Sequence, residues 1–118
     1  MKSTAESACL FCKIAAGEIP ARIVHRDESS VAFHDINPQA PVHVLVIPKK
    51  HFSSALEAEE ADEPLMGHLH RVAADVARQL GISDGFRVVV NTGANAGQSV
   101  FHIHLHVLGG RPMHWPPG

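Results

Sequence analysis

Phe101-His102-Ile103-His104-Leu105-His106-Val107 alternates apolar and imidazole side chains without a break. Gly97-Gln98-Ser99 precede the run and Gly109-Gly110 follow it. Successive side chains of an extended chain point to opposite faces, so strict alternation predicts a half-buried β-strand over 101–107. His102, His104 and His106 then share one face, while Phe101, Ile103, Leu105 and Val107 share the other. Two residues of strand advance about 6.6–6.8 Å, a spacing at which imidazoles can line a small anion or ligate a metal. Three histidines in a row are a poor way to cover a surface, so this face is expected to carry chemistry.

The rest of the chain builds a domain around that strand. The 118 residues suffice for one domain with its own core. Cys9 to Gly17 reads as a short helix, with Ser7 as its N-cap and Gly17 past its end. Residues 1–8 read as a loose polar tail. Ile23–Arg26 and Val31–His34 form a hairpin around Asp27-Glu28-Ser29-Ser30, and 35–41 is a proline-punctuated loop. Val42–Ile47 is apolar almost throughout and stops at Pro48, as a central strand buried on both faces does. Leu65, Leu69, Val72, Val76 and Leu80 recur at helical spacing after Asp62 and Pro64, with Gly81 closing the helix. Residues 85–91 form another strand ending in Asn91. The glycine-bearing loop 92–99 then leads into the histidine strand. Hairpin-linked strands with one long helix predict an α+β domain on an antiparallel sheet.

Charge and composition exclude several classes. A net charge of -2 with scattered basic residues argues against a phosphate-gripping nucleic-acid binder. No apolar run reaches the roughly 20 residues of a membrane-spanning helix, and the first eight residues lack a signal-peptide core. With only Cys9 and Cys12, too close in sequence to staple a fold, a reducing cytoplasm is the expected compartment. The ten histidines exceed what packing requires. His43 lies inside the central strand, either as a core histidine or aimed at the same site as the three. His25, His34, His68, His70 and His114 are given no catalytic task.

Two chemistries suit the alternating histidines. A strand-borne pair can bind zinc with ligands from elsewhere, although no carboxylate or cysteine lies within several residues. Alternatively, a neutral imidazole attacks phosphorus when its other nitrogen is held by a hydrogen bond, and neighbouring imidazoles steady the phosphate and move protons. On that reading His104 is the nucleophile. Spacing alone does not choose.

Residues 98–107 resemble the His-x-His-x-His-x-x signature of the histidine triad (HIT) superfamily, and the chain is similar to its nucleotide-binding Hint branch. Supporting stretches are Ala32-Phe33-His34-Asp35-Ile36, Pro38-Gln39-Ala40-Pro41-Val42-His43, Ile47-Pro48-Lys49-Lys50-His51, Val90-Asn91 and His114-Trp115-Pro116-Pro117-Gly118. The resemblance runs from about Cys9 to Gly118, a single HIT domain. It implies a sheet of about five strands with one long and one short helix, adjoining a second sheet in a homodimer reached by the tail 109–118. It also implies a purine nucleoside phosphoramidase. His104 would form a nucleotidyl-imidazole intermediate, His106 would contact the phosphoryl oxygens, His43 would complete the cluster, and Ser99 would meet the leaving group. Asn91 and the backbone at Gly97, Gln98 and Val100 would hold phosphate and ribose. Asp35 would take the ribose hydroxyls, Phe11, Phe33 and Ile36 would enclose the purine, and Trp115 would approach the partner's site. Cys9, Cys12, His51 and His102 would hold a structural zinc, which removes His102 from proton transfer. The alternatives are a dinucleoside polyphosphate hydrolase and a nucleotide-binding interaction protein with vestigial catalysis.

Overall fold

The structure is a computed structural model that describes residues 8–118. The expected Ser7 cap and nearly all of the expected polar tail lie outside the described residues. Helix α1 spans Leu10–Ala15, and its N-cap is Cys9, whose Sγ accepts the Cys12 amide N–H at 3.4 Å. Strands β1 (Ile23–Arg26), β2 (Ser30–His34), β3 (Val42–Pro48), β4 (Phe86–Val89) and β5 (Leu105–Gly109) form one antiparallel sheet in the order β1-β2-β3-β5-β4. Helix α2 (Glu63–Gln79) crosses between β3 and β4. The expected α+β architecture of five strands, one long helix and one short helix is the one observed. No helix among the described residues is long and apolar enough to cross a membrane.

Strand alternation divides the core in two. Ala32, Val44, Val46, Leu105 and Val107 point to one face, where Leu69, Val72, Ala73, Val76 and Ala77 of α2 cover them. Val31, Phe33, Leu45 and Ile47 point to the other, where Phe11, Cys12, Ile14 and Ala15 of α1 cover only part of the sheet. A fully buried Val or Leu contributes about 1.5–3 kcal/mol, so the α2 face carries most of the stability. The α1 face is left open at one end, and that opening holds the histidines.

Three expectations need correction. The ladder of the histidine strand begins at Leu105, paired with Val46, rather than at Phe101. Two residues further back Ile103 would stand opposite Pro48, which already pairs with Ser30 of β2 on its other side. Proline has no N–H, and the Pro48 carbonyl already accepts from His102 Nε2 at 2.8 Å. The Ile103 amide donates instead to the Phe52 carbonyl at 2.8 Å, so 102–104 is extended chain held from outside the sheet. Asp62 precedes α2 but makes no side-chain cap to it. Its carboxylate accepts the Glu59 amide and the Lys50 ammonium instead, both at 2.9 Å. The last strand residue before the glycine loop is Val89, not Asn91.

The hairpin is tied to α2 by one carboxylate. Asp27 Oδ1 accepts the amides of Ser29 and Ser30 at 2.9 and 2.8 Å, closing the turn. Its Oδ2 accepts His25 Nε2 at 2.6 Å, the Ser30 hydroxyl at 2.8 Å and His68 Nε2 of α2 at 2.8 Å. Burial raises the Asp27 carboxyl, but the hydrogen bonds from His25, Ser29, His68 and Ser30 outweigh it and hold the group well below the ordinary carboxylate range. Asp27→Ala leaves the fully buried Ser30 hydroxyl without this acceptor, and we expect a loss of about 2–3 kcal/mol. Urea denaturation checks this; a change below about 0.5 kcal/mol, the range of ordinary surface substitutions, contradicts it.

Candidate active site

The open end of the α1 face is a cleft of about 1000 Å³. His104 and His106 line its floor, with His43 beside them. Phe11 and Phe33 form one wall, their rings edge to face at 5.5 Å, and Phe11 also meets the His104 ring edge-on at 5.1 Å. Asp35 and Ile36 stand at the β2 end, Ile36 fully exposed, while Ser99 and Val100 close the opposite rim. Nine of the residues expected at a nucleotide site therefore share one cleft, namely Phe11, Phe33, Asp35, Ile36, His43, Ser99, Val100, His104 and His106.

Hydrogen bonds fix the tautomers. His104 Nδ1–H donates to the His102 carbonyl at 2.7 Å, which leaves Nε2 as the lone-pair nitrogen of a cleft-lining ring. His43 is set the opposite way. Its Nδ1 accepts the Gln39 amide N–H at 3.0 Å, so its proton resides on Nε2, 2.9 Å from His106 Nδ1 and 3.4 Å from Asp35 Oδ2. His106 Nδ1 is thereby an acceptor, and His106 carries its own proton on Nε2. One ring offers a lone pair and its neighbour, 4.8 Å away between centroids, offers an N–H.

Burial keeps these rings neutral. It lowers His104, although the His102 carbonyl and Asp35 raise it. It lowers His43 against an opposing Asp35. Burial, then the neighbouring His104 and His43, push His106 down to about 4 against Asp35.

A second cluster lies behind Phe11. Cys9 Sγ is 3.3 Å and Cys12 Sγ 3.4 Å from His102 Nδ1; His51 Nδ1 is 3.2 Å from both Cys12 Sγ and His102 Nδ1. Four ligands around tetrahedral zinc stand about 3.3–3.8 Å apart, so the set approaches the edge lengths the ion requires. Fully buried His102 donates from Nε2 to the Pro48 carbonyl, which turns its Nδ1 lone pair toward the thiols. Burial first, opposed by that Pro48 bond and aided by His51 and His104, holds His102 down to about 4 and keeps it a neutral donor. His51 Nε2 is buried with no hydrogen-bond partner among the described residues, so the outer bond that His102 makes to Pro48 has no counterpart at His51. These residues can hold a metal ion.

Other expected residues fall outside the cleft. Asn91, Gly97, Gln98 and His102 are not among its lining residues, and Trp115 is 82% exposed on the tail. The amides of Gly97 and Gln98 donate to Ala94 and Gly93 within the loop, which turns at Gly97 with φ of 94°. The Gln98 side chain is buried and braces the same loop, accepting the Gly93 amide and donating to the Ser53 and Val100 carbonyls. The sequence reading missed Leu10, Ile14, Arg22 and Leu45 as cleft residues. The helical offset of Ile14 from Leu10 was the available signal for those two.

Comparison with known proteins agrees with this geometry. The HIT domain family matches residues 16–113. An uncharacterized HIT-like protein of Synechocystis is 57% identical over 109 residues, covering 92% of this chain and 96% of that protein. A 14 kDa zinc-binding protein of Zea mays is 50% identical over 115 residues, covering 96% and 90%. Among solved structures, a HIT family hydrolase from Legionella pneumophila superposes with a TM-score of 0.91 at 50% identity, covering 93% of this chain and 99% of that one. A histidine triad protein from Clostridium difficile gives 0.89 at 41% identity, covering 97% of both.

The neutral histidines make stability pH-dependent. His106 titrates near 4 when folded and near 6.5 when unfolded, so between those values the unfolded chain binds more protons. Stability is complete above about pH 6.5 and lost as pH falls through about 4. Urea midpoints across this window are expected to fall steadily with pH, and His106→Gln to flatten the slope; identical slopes contradict the assignment.

Sheet order, cleft and histidine geometry, together with the family match over most of the chain, make this protein a member of the HIT family.

Proposed function

We propose that this chain is a purine nucleoside phosphoramidase that hydrolyses the P–N bond of nucleoside 5′-phosphoramidates. The carrying observation is the His104 ring, whose Nδ1–H is tied to the His102 carbonyl while its Nε2 remains a lone pair in the cleft. Attack by Nε2 on the α-phosphorus forms an N–P bond as the bond to the leaving nitrogen breaks. The electron pair departs with that nitrogen, which takes up a proton, and we assign Ser99 to that leaving-group side. Water then adds to phosphorus, the His104–phosphorus bond breaks, and a nucleoside monophosphate leaves. The His106 Nε2–H donates to phosphoryl oxygens that gain charge in both steps, with His43 holding His106 in the donating tautomer.

The remaining cleft suits the rest of a purine nucleotide. The purine lies between Phe11, Phe33 and the exposed Ile36, and Asp35 accepts the ribose hydroxyls with a carboxylate already oriented by the Asn37 amide at 2.8 Å. Val100 at the rim completes the proposed phosphate and ribose contacts, while Gly97 and Gln98, whose amides donate within the loop, and Asn91 before it support that rim from outside the cleft. Cys9, Cys12, His51 and His102 hold a structural zinc in this reading. The metal supplies no chemistry to the reaction beyond fixing α1 and His102. The tail and the β4 edge suit a homodimer, because β4 ends the sheet and exposes Phe86 near the start of an otherwise unpaired edge. Trp115 then reaches the partner's cleft. The proposed compartment is the cytoplasm.

His104→Ala is expected to lower turnover of an adenosine phosphoramidate by roughly 10³-fold or more, since it removes the lone pair assigned to attack phosphorus. Equal turnover by both proteins removes His104 as nucleophile. No turnover by either favours a nucleotide-binding interaction protein, and faster cleavage of dinucleoside polyphosphates favours that hydrolase class. For the metal, Cys9→Ser preserves an N-cap but loses a thiolate ligand. Zinc content is expected to drop from about one ion per chain to near zero while α1 persists. Equal, negligible zinc in both proteins refutes the site.

A further inference from the structure

The direction of the His43 proton depends on one peptide group, the Gln39 amide, which lies in an exposed loop. Neighbouring bonds hold that loop. Asp35 Oδ1 accepts the Asn37 amide at 2.8 Å, and the Gln39 side chain donates back to the Asn37 carbonyl at 3.0 Å. Both bonds are internal to the loop, whose base the Asp35 amide closes on the His43 carbonyl at 2.9 Å. A further anchor, on Gln39 itself, comes from beyond β5. Arg111 Nη2 donates to the Gln39 carbonyl at 3.1 Å, while its Nη1 donates to the Pro112 carbonyl at 3.1 Å. The guanidinium thus bridges the loop and the C-terminal segment, 72 residues apart in the chain from Gln39. Gly110 makes the approach possible: it has φ of 91°, and a Cβ there would stand 2.9 Å from Pro41 Cβ.

We infer that Arg111 is a positioning residue for the histidine cluster, acting through Gln39 and His43 on His106. The chain of contacts is continuous. Arg111 holds the Gln39 carbonyl, the Gln39 amide holds His43 Nδ1, and His43 Nε2–H holds His106 Nδ1. A peptide that shifts by a fraction of an ångström releases His43 Nδ1. The ring can then protonate there instead and present Nε2 as an acceptor, which reverses the hydrogen bond to His106 and withdraws the N–H it offers the cleft. The reaction part of this inference rests on the proposed phosphoramidase reading; the tautomer part does not.

The test uses the full chain and long-range proton–nitrogen correlation spectra of its imidazoles. Wild type is expected to show His43 as a single Nε2–H tautomer, and Arg111→Ala a mixture of both. Turnover of an adenosine phosphoramidate by Arg111→Ala is expected to fall about 10-fold in kcat with KM within about 2-fold, as for a misplaced rather than missing group. Arg111→Lys keeps a donor for one carbonyl and is expected to restore much of both signals. Gly110→Ala, which displaces the segment from Pro41 with Arg111 intact, is expected to reproduce the tautomer mixture. An unchanged His43 tautomer in Arg111→Ala overturns the inference whatever the rate. A changed tautomer with wild-type kcat overturns the link to catalysis. If wild type itself does not turn over substrate, the proposed reaction falls, and the tautomer alone decides whether Arg111 sets His43.

Discussion

The bond from His102 Nε2 to the Pro48 carbonyl, 2.8 Å long and wholly buried, is the constraint on which the site depends. It commits the last carbonyl of β3 to a side chain at the end where the β3–β5 ladder stops, the Ile103 amide donating to Phe52 instead. It orients the His102 ring so that Nδ1 faces the two thiols and His51. It also fixes the His102 backbone, whose own carbonyl takes the His104 Nδ1 proton. One residue therefore serves the metal-capable cluster through its ring and the proposed nucleophile through its main chain. Phe11 makes a second connection between the two, being carried between Cys9 and Cys12 on α1 and meeting both the His102 and the His104 rings.

Over 104–107 the alternation reports which side chains share a face. Leu105 and Val107 pack under α2, and His104 and His106 face the cleft. It misreports the ladder, because periodicity records side-chain direction and not where backbone groups bond. Pro48 as the end of β3 was legible, but the competition between a strand partner and the Phe52 carbonyl for the Ile103 amide was not. Likewise Cys9, Cys12, His51 and His102 could be grouped from the family pattern, and the structure brings all four within reach of one ion. The tie of Asp27 to His68 spans 41 residues and leaves no local signature. Gln98 illustrates the same limit. It stands in a glycine loop that suggests backbone contacts to a ligand, yet its buried amide side chain is used to hold that loop together.

The imidazoles of the cleft are kept uncharged by burial. The rings of His104, His106 and His43 are all lowered first by burial, and Asp35, the carboxylate beside them, only partly opposes it. Neutrality is what the proposed chemistry needs from His104, since a protonated ring has no lone pair to offer phosphorus. His106 must stabilise an anion while neutral, and it does so by presenting an N–H from a preorganised ring rather than a full charge. The cost is a set of imidazoles that favour the folded state only while unprotonated, so acid conditions oppose both stability and nucleophilicity.

The tautomers also explain why two clusters of similar composition differ in their fitness for a metal. Asp35, His43 and His106 bring a carboxylate and two imidazole nitrogens within 4.8 Å of one another, as the cysteine cluster does with its four ligand atoms. Coordination needs a lone pair on each of the facing nitrogens. At His102 the outer nitrogen meets a carbonyl, an acceptor that draws the proton outward and leaves the inner lone pair available. At His43 the outer nitrogen meets the Gln39 amide, a donor that can only be satisfied if the proton lies on the inner nitrogen. The same ring type is thus prepared as a ligand in one place and as a hydrogen-bond donor in the other. The choice is made by whether the backbone behind it presents a C=O or an N–H.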